Sequence, residues 1–185
     1  RYDTIKPGSL ILERIIRYIG SETLMCSGVG VREGVFLSDL LRNAGDRFPA
    51  NYNPSVRYLL DTQVIKSNHT LQCAHLAKRL FDLLHLHLHI DPLFKHEMVI
   101  AAKLLSIGVG VRYYAYQRHS HYLAMNTLDY GLTHPQIALI SHLLLFKKSS
   151  CSADLVPKNS YGPLLPDDAT LNNLSMIIWL SHILL

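Results

Sequence analysis

The chain has 185 residues, enough for one domain or for one domain and part of another. Hydrophobic residues make up 49% and charged residues 17%, which excludes a disordered polymer and leaves ample material for a core. The net charge of +4 and pI near 9.0 suit a polyanionic partner. No apolar run is long enough to span a bilayer and no signal peptide is legible, so no membrane partner and a cytoplasmic location are expected. Three cysteines, Cys26, Cys73 and Cys151, lack CxxC spacing and read as reduced thiols.

In chain order, Ser9 to Ile19 carries apolar residues at helical spacing, and Gly20 reads as its C-cap. Thr23 to Val29 is the one convincing strand, and it needs neighbours from elsewhere to pair its backbone. Arg32 to Arg42 predicts a second helix, and Asn43 to Pro54, rich in Asn, Gly, Asp and Pro, predicts a linker. From Ser55 onwards the pattern is all helix, with candidates at 55–66, 68–86, 92–106, 118–128, 134–147 and 171–185. The aperiodic stretch Ser149 to Asp168 predicts a long loop. The stripe Leu104, Ile107 and Val111 and the cluster Ile137, Ile140, Leu143 and Leu144 predict core. The first residue is Arg and the last lies in an apolar helix without a cap, so both ends read as cut from a longer protein.

Several segments carry a family pattern. Ala102 to Gly108 reads AKLLSIG, and His69 to Phe81 reads HTLQCAHLAKRLF. Both resemble helices of histidine-aspartate (HD) phosphohydrolases, with His69 at the first ligand position and Leu105 and Ser106 where the metal-binding His and Asp would stand. Gln117 to Leu123 (QRHSHYL), Pro7 to Ile15 (PGSLILERI), Ser27 to Leu41 (SGVGVREGVFLSDLL) and Asn53 to Leu60 (NPSVRYLL) resemble segments of the exopolyphosphatase/guanosine pentaphosphate phosphatase (Ppx/GppA) family. MIIWLSHIL resembles the closing helix, with His182 where an HD domain has its last Asp.

The resemblance implies a mainly α fold, an HD-like helical bundle over residues 46–185. Before it, residues 1–45 would be a short α/β remnant of an actin-like (ribonuclease H-like) subdomain. It implies a parent enzyme that hydrolyses phosphoanhydride bonds of polyphosphate or pppGpp with Mg²⁺, its catalytic residues lying upstream. This chain would supply polyanion binding and homodimer contacts, with no catalytic residue, no cofactor and no nucleic-acid partner of its own. Arg112, Arg118, Lys147 and Lys148 are the expected phosphate-binding residues, because guanidinium forks and ammonium groups match phosphate oxygens. His69 and His119 are the surviving HD-like positions; without carboxylates they predict no metal site. The run His85-Leu86-His87-Leu88-His89 reads as a histidine-rich helix end rather than a metal tag, since neighbours two apart diverge on a helix. The alternatives are an active HD-type nucleotide phosphohydrolase, opposed by the missing His-Asp pair, and a regulatory or assembly module without a phosphate ligand.

Overall fold

In a computed structural model the chain is described at residues 2–22, 24, 30–45, 48, 53–63, 68–147, 150–151 and 161–185. It divides into two compact units, Arg1–Asp39 and Leu40–Leu185, and is mainly α. The expected strand at 23–29 lies outside the described residues, apart from Leu24.

In the first unit, α1 (Tyr2–Ile19) starts earlier than the sequence suggests and runs through Pro7. The helix continues across Pro7 and Gly8, and Ser9 Oγ donates to the Ile5 carbonyl at 2.8 Å within the same turns. The helix stops as expected at Gly20, whose φ of +70° suits glycine. Gly20 N–H bonds to Arg17 O and Ser21 N–H to Ile16 O, the two closures of a Schellman cap. α2 (Val31–Leu40) follows with no buried residue among those described.

The second unit is a helical bundle built around α5 (Lys95–Leu104). Met98, Ala101, Ala102 and Leu104 are fully buried, so small residues let neighbouring helices approach closely. Around it pack α3 (Pro54–Gln63), α4 (Asn68–Leu84), α7 (His134–Leu143) and α8 (Asp168–Ile183). α6 (Tyr116–Thr127) packs on α7 and on the 3-10 turn Ile107–Gly110 that follows α5.

Local chemistry explains most boundaries. Asn53 caps α3, its Oδ1 accepting from Val56 N–H at 3.1 Å. Asp91 caps the 3-10 turn Pro92–Phe94 ahead of α5. At α7, Thr133 N–H donates to Gln136 Oε1 at 2.9 Å. α8 begins three residues before the expected start because Asp167 accepts from Thr170 N–H at 2.9 Å.

α7 ends at Leu143, not at 147. Leu144 and Leu145 leave the helix yet stay fully buried, and β1 (Phe146–Lys147) then pairs antiparallel with β2 (Ser150–Cys151). Lys147 therefore sits on a short hairpin and does not end a helix; Lys148 lies outside the described residues. Of the predicted core, Leu104, Ile107, Ile140, Leu143 and Leu144 are fully buried, whereas Val111 is exposed because the chain has already left the bundle there. No described helix is long and apolar enough to cross a membrane.

Candidate functional site

The loop after α5, where the HD resemblance would put a His-Asp pair, is held by packing and hydrogen bonds. Leu105 sits in the core, and its carbonyl accepts from Ser120 Oγ at 3.0 Å. The same hydroxyl accepts from Gly108 N–H at 2.9 Å. Gly108 presses directly on the start of α6: a Cβ there would lie 2.1 Å from Tyr116 O and 2.5 Å from Ser120 N. Glycine is required by this close approach, not by backbone torsion. The segment QRHSHYL is thus largely structural at its centre. Ser120 closes the loop, and His121 Nδ1 lies 2.9 Å from Ser141 O, tying α6 to α7. Burial pushes the His121 pKa below its ordinary value near 6.5, against the opposing hydrogen bond to Ser141 O. A side chain bonded to a backbone 12 to 20 residues away leaves no periodic trace, so neither role was read from the sequence.

The expected phosphate-binding residues fall in three situations. Arg112, in the loop between the 3-10 turn and α6, and Arg118, in the first turn of α6, are exposed. Their backbone N–H groups bond to Gly108 O and Ala115 O, while neither guanidinium has a hydrogen bond or ion pair among the described residues. Tyr113 and Tyr114 are exposed between them, ring centroids 5.8 Å apart and edge-on. Ala115 closes that loop in the left-handed region at φ 56°, a strained choice for a residue with a Cβ. Lys147 contributes its backbone to β1, and Lys148 is outside the described residues.

His69 and His119, the two HD-like positions, fall into different surroundings. His69 and Cys73, one turn apart on α4, meet His182 near the end of α8. Ligand-type atoms of the three all lie within 4.8 Å of one another, and they are the one such group of three among the described residues. Cys73 Sγ is 3.6 Å from His69 Nδ1, and the two imidazoles are edge-on with centroids 5.3 Å apart. His119, on α6, is not in this group. Burial raises the Cys73 thiol pKa; burial, with the nearby His69, lowers that of His182. The set lacks oxygen ligands and so does not suit Mg²⁺, which prefers octahedral oxygen.

The histidine run does no comparable work. His85 stacks on Phe81 at 5.4 Å with rings nearly parallel, and its Nδ1 lies 3.0 Å from Phe81 O. His89 takes φ 53° as the chain turns. Elsewhere, a cavity of about 280 Å³ is lined by Phe94, Leu139, Leu164 and Leu165, with Glu97 in its wall. Glu97 Oε1 accepts from Gln136 Nε2 at 2.6 Å, while Oε2 is buried without a partner among the described residues.

No curated protein matches the chain. Residues 53–183 match the family model of Ppx/GppA phosphatase, domain III. That span opens at the α3 cap and closes at the last residue of α8, covering the bundle just described. The chain belongs to the Ppx/GppA phosphatase family, and its helical bundle is the family's domain III.

Proposed function

We propose that this chain is the polyanion-gripping and dimer-forming helical part of a phosphatase that hydrolyses phosphoanhydride bonds, and that catalysis is carried by other parts of that enzyme. The match of residues 53–183 to domain III carries the reading. Leu105 and Ser106 at the dyad positions support the non-catalytic role, because Leu105 is core and its carbonyl is bonded by the Ser120 hydroxyl. Mg²⁺ belongs to the complete enzyme, whose chemistry is electrostatic stabilisation of transferred phosphoryl charge. The chain alone releases no phosphate from polyphosphate or pppGpp.

Arg112 and Arg118 are the exposed guanidinium groups of the grip, with Lys147 and Lys148 as the second pair of cations. The exposed Tyr113 and Tyr114 beside Arg112 favour a ligand with a base to stack, hence a guanosine polyphosphate over bare polyphosphate. Fluorescence anisotropy with labelled polyphosphate and labelled pppGpp, each at two salt concentrations, tests both points. A phosphate grip weakens as salt rises, and Arg112→Glu with Arg118→Glu abolishes it. Binding that ignores salt and survives the double substitution sinks the reading. Equal affinity for the two ligands leaves the tyrosines without a role in ligand choice.

A further inference from the structure

We propose that His69, Cys73 and His182 bind a divalent transition-metal ion of intermediate softness, Zn²⁺ above all, which fastens the start of α4 to the end of α8. The donor set points to this class, since imidazole nitrogen and thiolate sulfur are ligands for Zn²⁺ and poor ones for Mg²⁺ or Ca²⁺. The spacing agrees. With Zn–N near 2.0–2.1 Å and Zn–S near 2.3 Å, tetrahedral geometry separates a nitrogen from a sulfur ligand by about 3.6 Å. Cys73 Sγ and His69 Nδ1 are 3.6 Å apart. His182 comes from the opposite helix, so the third ligand is held by packing of α4 on α8 and not by local chain geometry.

Burial is graded across the cluster. Cys73 is 2% exposed and anchors the site in the core, while His69 and His182 are half-buried. That leaves room for water as a fourth ligand on the solvent side. Binding displaces the Cys73 proton: the S–H bond breaks, sulfur donates a lone pair to the ion as thiolate, and one H⁺ goes to solvent. Both imidazoles bind as neutral rings.

Titration of metal-free chain with Co²⁺ tests the site, because a thiolate bound to cobalt gives a charge-transfer absorption that imidazole alone does not. The expected result is a band saturating at one equivalent and bleached by Zn²⁺, with release of one proton per ion. Cys73→Ser and Cys73→Ala remove the band, His182→Ala weakens binding by about tenfold or more, and His119→Ala changes nothing. X-ray absorption of the wild-type zinc form reads the ligands without any variant, and one sulfur and two imidazole neighbours are expected. Absence of the band, a band retained without Cys73, or a shell of nitrogen alone from the His85 to His89 run overturns the proposal.

Discussion

Two residues hold the loop after α5 in place. Ser120 satisfies a donor and an acceptor of that loop at once, and Gly108 lets the loop lie against α6. Ser120→Ala leaves the Gly108 N–H and the Leu105 carbonyl short of a partner in the core, which costs about 1–3 kcal/mol in urea denaturation. Gly108→Ala drives a Cβ into backbone and costs about 3 kcal/mol or more. If both variants unfold at the wild-type urea concentration, the loop is held by something else. The pH behaviour rests on the buried imidazoles. His121 stays neutral in the folded chain below pH 6.5, while the unfolded chain takes up a proton there. The unfolded state then holds more protons, so stability falls as pH drops through 6.5 and levels off below the depressed folded value. His182 adds a contribution of the same sign. Urea midpoints between pH 8 and pH 5 should show the fall, and it should be shallower in His121→Asn.

At the scale of elements, α3 is held through its N-cap. Asn53 Oδ1 caps the helix while its Nδ2 donates to the Tyr130 carbonyl at 2.8 Å. Ser55 Oγ accepts from Tyr130 N–H at 3.0 Å, so two side chains secure both polar groups of one distant residue. Asn53→Ala removes cap and latch together and should lower stability by about 1–2 kcal/mol. Asn53→Asp keeps the cap but loses the Nδ2 donor, and its smaller or equal cost in a thermal melt separates the two effects. The helices themselves were legible, since apolar residues recur at helical spacing and Gly20 announces a stop. Their ends were less so. The end of α7 was placed four residues late because Leu144, Leu145 and Phe146 continue an apolar run, and a run says nothing about when the backbone turns. The start of α8 was placed late because Asp167 caps through Thr170 across a stretch that carries three prolines nearby. The site was legible only in part. His69 and His182 stand out singly in the sequence, but their meeting depends on α4 packing against α8, and Cys73 reads there only as a reduced thiol.

For the whole molecule, the bundle matches domain III, while α1 carries a face of Leu10, Ile11, Ile15 and Ile19 that is exposed. Self-association follows from the reading that assigns this chain to dimer contacts, with two-fold symmetry as the commonest closed arrangement. Light scattering at tens of micromolar should return the dimer mass, and a monomer throughout that range counts against it. The latch between Asn53 and Tyr130 has a consequence for synthesis. It spans 77 residues, and α4 meets α8 only after about a hundred more residues have been made. A chain emerging from the ribosome can pack α4 on α5 soon after both are made, but the face of α4 that meets α8 stays uncovered until α8 is out. Closing so long a loop costs only slightly more entropy than closing a short one, so the delay is one of timing and not of equilibrium. Nascent chains stalled before Leu171 should be cut by protease within α4 faster than chains that extend past Ile183, and equal rates would mean that packing on α5 alone protects α4.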